Sequence, residues 1–117
     1  MKQPKKYKDE KSSSLLTKFA AEYFLEESNK NSLITITKSE ILDRGKRAFI
    51  YFTALPQEKE EDVLEFMKRR RNDFRQYVMT KKSFGYVPRV DFCIDFGEHN
   101  RQRIDELSNE SSANEQN

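Results

Sequence analysis

The densest concentration of chemically active side chains is a basic segment at residues 68–89. It carries eight Lys and Arg residues against a single acid, Asp73. Cations at this density favour a polyanion partner, because they can neutralise several phosphates along one surface, although a solvated helix face carries similar runs. Arginine can also stack on unpaired bases. The residues expected to contact RNA are Lys46, Lys68, Arg69, Arg70, Arg71, Asn72, Arg75, Lys81, Lys82 and Arg89.

Two aromatic residues, Phe84 and Tyr86, closely follow Lys81 and Lys82. Basic and aromatic residues interleaved in this way are typical of RNA-binding surfaces, where rings stack on bases. The same rings would serve equally well in core packing or in covering the end of a sheet. The sequence leaves both roles open.

The other reactive side chains do not form a recognisable catalytic set. The acids near His99 are Asp91, Asp95 and Glu98. We expect both aspartates on a strand face and His99 in a loosening C-terminal segment, an arrangement unsuited to acid–base or metal chemistry. Cys93 is the single cysteine, which excludes an internal disulfide, and no histidine is placed to activate it. We therefore predict a non-enzymatic protein with no cofactor, no metal and no small-molecule substrate.

The composition predicts one small domain with polar ends. The 117 residues are 35% hydrophobic and 36% charged, which suffices for one modest core. We expect residues 1–11 to be a disordered basic tail, 12–97 the folded domain, 98–107 a short extension that could be helical, and 108–117 a disordered acidic tail. The chain has no apolar run of membrane-spanning length and no signal-peptide core, so we expect a cytoplasmic protein with no membrane partner. We also expect a monomer.

The first part of the domain predicts a helix and two paired strands. Residues 12–14 are serines that could cap a helix ending near residues 28–31. Residues 33–38 alternate and are β-branched, residues 47–55 are again β-prone, and a turn at 43–46 joins them. We expect these strands to pair antiparallel. The apolar residues of the helix are Leu15, Leu16, Phe19, Ala20, Tyr23 and Phe24.

The second part predicts two helices separated by a kink. Acidic residues after Pro56 suit a helix N-terminus, and the apolar stripe beyond them is Val63, Phe66, Met67, Phe74, Tyr77 and Val78. A straight helix would turn Arg70 or Arg71 toward the core, so we expect a kink at residues 70–72. Asn72 would be left-handed or a cap there, and Asp73 would lie in the first turn of the second helix.

The last element is a predicted strand. Gly85 should end the second helix, and the alternating apolar residues of the strand are Val90, Phe92, Ile94 and Phe96. A strand reached through a helical crossover lies parallel to its neighbour, with a right-handed connection. We therefore predict an α+β fold of order α-β-β-α-α-β, with a three-stranded mixed sheet and all helices on one face.

These segments together resemble the bacterial ribosome-binding factor A family over roughly residues 12–107. The resemblance is carried by Ile34-Thr35-Ile36-Thr37, by residues 47–52, by Val87-Pro88-Arg89-Val90-Asp91-Phe92 with Asp95, and by residues 103–107. It implies a type II KH-like fold without the GxxG loop, and Gly45, Gly85 and Gly97 are the only glycines here. In the family an Ala-x-Gly kink joins the two helices, whereas this chain has Arg70-Arg71-Asn72.

The resemblance also implies a function. The family binds the small ribosomal subunit and its rRNA during late maturation, so we expect an assembly factor that docks a basic helix-kink-helix face on rRNA. A general KH-like binder of single-stranded RNA is one alternative, which would bind short unstructured oligonucleotides tightly without any subunit. A protein-interaction domain is another, and its partner binding would be insensitive to salt.

Overall fold

The architecture is a layer of helices packed on one face of a three-stranded sheet, as given by a computed structural model. The structure describes residues 2–27, 32–81 and 84–98, with the side chains of 11–25, 32–81 and 84–98. The elements in chain order are α1 (Lys2–Glu27), β1 (Leu33–Leu42), β2 (Arg47–Leu55), α2 (Glu60–Arg69), α3 (Arg71–Met79) and β3 (Arg89–Ile94). The predicted α+β order is confirmed. None of these helices is both long enough and apolar enough to span a membrane.

The sheet has the predicted mixed topology, with strand order β1-β2-β3. β1 pairs antiparallel with β2, and β3 pairs parallel with β2, so that Ile50 lies opposite Phe92. β2 occupies the residues predicted for it, and β1 extends to Leu42, past a register shift between Ile36 and Lys38. The turn between them has left-handed backbone at Asp43, Arg44 and Gly45. Glycine adopts this conformation at the least cost, which accounts for its place at the turn.

The core lies between the helices and one sheet face. Alternate residues of β2 and β3 are buried, while the residues between them face the opposite side, as period-2 strands require. The largest fully buried side chains include Phe24, Phe52, Phe74 and Phe92. The predicted core positions on α1, α2, α3, β2 and β3, as far as Ile94, are therefore confirmed.

The predicted kink between the two helices is a single-residue break at Arg70. Its φ and ψ of −92° and 6° are not helical, and its carbonyl accepts the first hydrogen bond of α3, from the Phe74 amide at 2.8 Å. The Arg70 guanidinium lies 5.4 Å from the centre of the Phe66 ring, which keeps this charge out of the core. Asn72 is neither left-handed nor a cap, because it is already helical within α3, so that expectation is wrong. Asp73 lies in the first turn as predicted.

The helix ends differ from prediction at two places. α1 begins at Lys2, inside the segment predicted to be disordered, because lysines favour helix and Pro4 falls in the first turn, where proline is tolerated. The serines therefore do not cap it, and the Ser13 hydroxyl instead donates to the Ser39 carbonyl on β1. α3 ends at Met79 with the Thr80 hydroxyl bonded to the Tyr77 carbonyl, well before Gly85.

β3 is also shorter than predicted. It ends at Ile94, and Phe96 lies beyond it with 63% of its surface exposed, so the expectation that Phe96 continues the buried face is wrong. The Asp95 side chain explains the end of the strand, because it accepts hydrogen bonds from the Thr37 hydroxyl and the Glu98 amide and turns the chain away from the sheet. Residues 108–117 and most of the predicted extension lie outside the described residues.

Candidate nucleic-acid interface

A polar groove of about 590 Å³ opens where β2 and β3 begin beside the first residues of α3. Because the two strands are parallel, their first residues meet at the same end of the sheet, and Arg47 lies opposite Arg89. The helix side contributes two more arginines, Arg71 and Arg75. We call this site the arginine groove; its lining residues are Arg47, Ala48, Phe49, Arg71, Asn72, Arg75, Arg89, Val90 and Asp91. Four cations thus surround one acid.

The two strand arginines are the exposed cations of the groove. Arg47 lies 3.6 Å from the Asp43 carboxylate in a solvent-exposed pair, and such pairs contribute little to stability. The Arg89 amide donates to the Lys46 carbonyl at 2.8 Å, which continues the parallel ladder and places Lys46 next to Arg89. The guanidinium groups of Arg47 and Arg89 are therefore accessible to a ligand in the groove.

Arg71 is oriented by the single acid of the groove. Its Nη1 lies 3.3 Å from Oδ1 of Asp91, and both side chains are 43% exposed. The same Asp91 oxygen accepts a hydrogen bond from the Phe92 amide at 2.9 Å. A pair this exposed positions the guanidinium rather than stabilising the fold.

Arg75 has a structural role that the sequence did not indicate. Its Nε donates to the Pro88 carbonyl and its Nη2 to the Val87 carbonyl, both at 3.0 Å. Val87 and Pro88 are buried, so these carbonyls depend on the guanidinium for their hydrogen bonds. Arg75 thereby links the segment before β3 to α3, and it also lines the groove.

We expect Arg75→Ala to lower the free energy of unfolding by about 2–4 kcal/mol, since it leaves two buried carbonyls without their charged donor. Arg75→Lys should restore only part of the loss, because an ammonium group lacks the planar fork that reaches both oxygens. Urea denaturation followed by circular dichroism measures both variants. Equal stability of the alanine variant and the parent would contradict this role.

The remaining predicted RNA-binding residues lie outside the arginine groove. Lys68 and Arg69 are on the last turn of α2, and Arg69 lines a separate groove of about 260 Å³ near Ile34 and Phe66. Lys81 lies over the Tyr77 ring, 4.7 Å from its centre. Arg70 is at the break, and Lys82 lies outside the described residues. The structure therefore brings Arg71, Asn72, Arg75 and Arg89 together, with Lys46 adjacent, and places the other described cations elsewhere.

A comparison with models of protein families matches most of the chain to one family. Residues 8–108 match the model of ribosome-binding factor A. The chain belongs to the ribosome-binding factor A family. No individual curated protein sequence matches it.

Two solved structures of this family share the fold. Ribosome-binding factor A from Thermus thermophilus superposes with a TM-score of 0.65 at 17% identity, over 74% of this chain and 94% of that one. A Thermotoga maritima protein described as a putative ribosome binding factor A gives 0.62 at 19% identity, over 74% and 86%. The type II KH-like fold expected from the resemblance is consistent with both.

Relative to the Ala-x-Gly kink of the ribosome-binding factor A family, this chain breaks its helix with larger side chains. Arg70 takes the non-helical conformation, and the two residues after it line the arginine groove. The position that is a small residue in the family pattern here carries a guanidinium group. The chain therefore adds positive charge at the break.

Arg47 and Phe49 of the groove were missed by sequence reasoning. Both appeared only as members of a β-prone segment, and nothing in β2 alone marks them. The predicted parallel pairing contained the missing signal, because it places the first residue of β2 beside the first residue of β3.

Phe84 and Tyr86, the two aromatic residues for which both base stacking and core packing were open, differ in their surroundings. The Phe84 ring packs against the core, with its centre 6.4 Å from that of the Phe19 ring, whereas Tyr86 is 66% exposed.

The side chains considered for catalysis are Cys93, Asp91, Asp95, Glu98 and His99, of which the first four belong to the described residues. Burial raises the pKa of the half-buried Cys93 thiol, and nearby Asp91 raises it further, while Lys68 lowers it. No group of three or more His, Cys, Asp or Glu side chains in the described ranges is placed to hold a metal ion. His99 lies outside those ranges.

Proposed function

We propose that this chain binds the small ribosomal subunit during its late maturation, and that the arginine groove contacts phosphates of the subunit's rRNA. The observation that carries the proposal is the convergence of four arginines from β2, β3 and α3 on one groove with a single acid. Membership of the ribosome-binding factor A family supports the choice of partner. In this proposal the chain acts in the cytoplasm as a monomer, without enzymatic activity or a cofactor.

The groove suits a phosphate backbone for two reasons. Guanidinium groups present forked donors that match phosphate oxygens, and Arg47 and Arg89 extend theirs from an exposed strand end. In addition, α3 begins in the groove, where the positive end of a helix dipole favours an anion. Lys46 adds a further cation at the rim. Lys68, Arg69, Arg70, Lys81 and Lys82 would make outlying contacts with the same large rRNA surface.

Binding of this kind acts on rRNA by selecting a conformation. A rigid groove fits one arrangement of backbone phosphates better than others, so the factor shifts the rRNA toward that arrangement. When maturation changes the phosphate positions, the fit is lost and the factor dissociates. No bond is made or broken in this cycle.

If Arg47, Arg71, Arg89 and Lys46, together with one outlying cation, contact about five phosphates, the logarithm of RNA affinity should fall with the logarithm of salt concentration. The expected slope is roughly −3.5 to −4.5, since each contact contributes about 0.7 to 0.9. Fluorescence anisotropy with labelled small-subunit rRNA fragments measures it. A slope near zero would eliminate phosphate docking and favour a protein-interaction domain.

Sedimentation of the tagged chain through a sucrose gradient tests the partner. We expect the chain to travel with immature small subunits and to leave them at high salt. Recovery only in ribosome-free fractions, together with tight binding to short unstructured oligonucleotides, would instead support a general single-stranded RNA binder.

A further inference from the structure

We infer that the sheet face opposite the helices stacks an unpaired RNA base on Phe49, directly beside the arginine groove. This inference rests on the proposed function and extends it from phosphate contact to base contact. Phe49 belongs to the groove lining, yet its ring is on the sheet face opposite α1, α2 and α3, which no helix in the described part of the chain covers. A strand of RNA in the groove would therefore pass the ring with its bases within reach.

Phe49 is placed as a stacking platform rather than as a core residue. It alternates with buried Ala48 and Ile50 on β2, is partly exposed, and is not part of the hydrophobic core cluster. The Arg47 guanidinium lies 5.6 Å from the centre of its ring. A phosphate bound by Arg47 would thus hold an adjoining base next to an aromatic surface, and stacking of this kind is independent of base identity.

The charges around the ring favour a base over a phosphate at this position. Glu40 and Asp91 are the cross-strand neighbours of Phe49 on either side. Two carboxylates repel a phosphate from the ring and leave it to the arginine end of the groove. The second oxygen of each carboxylate, beside the one bonded to Arg71 and Phe92 or to Tyr51, can accept a hydrogen bond from a base amino group.

The carboxylates also argue against a protein partner on this face. An apolar protein surface covering Phe49 would have to desolvate Glu40 and Asp91, which is costly without cations of its own. A flat nucleobase covers the ring and leaves the carboxylates in contact with water.

Tyr51, the next aromatic residue on this face of β2, is not part of the proposed stacking surface. The Tyr51 hydroxyl donates to Glu40 at 2.7 Å, and Lys38 Nζ lies 4.7 Å from the centre of the Tyr51 ring. The hydrogen bond to Glu40 and burial together raise the pKa of Tyr51 to about 12, so the phenol is neutral at physiological pH. Tyr51 is engaged by its neighbours on β1, whereas Phe49 is adjacent to the groove.

A cycle of protein and RNA changes tests the inference. The two probes are a short single-stranded RNA and the same RNA with abasic positions. The three proteins are the parent chain, the Phe49→Leu variant and the Thr53→Val variant. Thr53 is a matched control because it lies farther along the same strand and on the same face. We expect the parent to bind the intact RNA about fivefold or more tightly than the abasic RNA. Phe49→Leu should lose that preference and keep the salt slope, while Thr53→Val should match the parent.

A second variant gives a direct readout. The chain has no tryptophan, so Phe49→Trp introduces a single indole whose fluorescence can be excited apart from that of the tyrosines. This variant should bind RNA like the parent, and its fluorescence should be quenched by the intact RNA but not by the abasic one. If Phe49→Leu binds both RNAs like the parent, and Phe49→Trp is not quenched, the stacking inference is wrong while phosphate docking stands. If the parent binds neither RNA, and its affinity for small-subunit rRNA fragments does not depend on salt concentration, the proposed function itself is wrong.

Discussion

Phe92→Ala should lower the free energy of unfolding by about 3–5 kcal/mol, which approaches the whole stability of a small domain. Phe92 is only 2% exposed and lies at the centre of the aromatic core, with its ring 5.3 Å from that of Phe24 and 6.0 Å from that of Phe74. The three rings come from β3, α1 and α3, so truncation leaves a cavity that no single element can close. Urea denaturation monitored by circular dichroism measures the loss.

Phe96→Ala is the matched control for this change. It removes the same side chain from a residue just beyond β3 that is 63% exposed, so the cost should be at most about 1 kcal/mol. Similar losses for the two variants would mean that the faces of β3 are assigned incorrectly.

The double variant Arg47→Gln with Arg89→Gln should bind small-subunit rRNA about a hundredfold more weakly. Each lost charge-assisted hydrogen bond costs about 1.5 kcal/mol or more, and the two together give this factor. The salt slope should become shallower by about 1.4 to 1.8, because two phosphate contacts disappear. Both side chains are exposed, so the melting temperature should remain close to that of the parent.

A control with the same change in net charge separates the groove from general electrostatics. Lys18 and Lys59 are exposed, and Lys59 follows the opposite end of β2 from Arg47. Lys18→Gln with Lys59→Gln should therefore retain most of the affinity. If both double variants weaken binding equally, overall charge rather than the arginine groove would account for the affinity.

Much of the fold was predictable because local pattern and tertiary environment agree. The residues of β2 are β-prone, and the strand forms over the predicted range with alternate residues buried. The break at Arg70 was predictable because a straight helix would bury a charge. The start of α1 was not, since lysine-rich segments are compatible with both helix and disorder. Gly85 does not end α3 as predicted. The helix ends earlier, at Met79, where the Thr80 amide and hydroxyl donate to carbonyls of the last turn.

The candidate site was only partly predictable because it is assembled across elements. A run of basic residues along the sequence spreads around a helix, so Arg69 and Lys81 point away from the groove that Arg71 lines. Arg47 comes from a distant segment and joins the site only through strand pairing. The structural role of Arg75 depends on two carbonyls whose positions no sequence pattern specifies.

The parallel pairing of β3 with β2 determines when this domain can complete its folding. β1 and β2 are neighbours in the chain and can form a hairpin early, whereas β3 can pair with β2 only after the residues of both intervening helices have been synthesised. Long-range parallel contacts are slow to form because loop closure precedes any gain from pairing. During synthesis the aromatic core stays incomplete until residues 89–94 leave the exit tunnel. A nascent chain interrupted before that point leaves Phe24 and Phe74 exposed to proteases and chaperones.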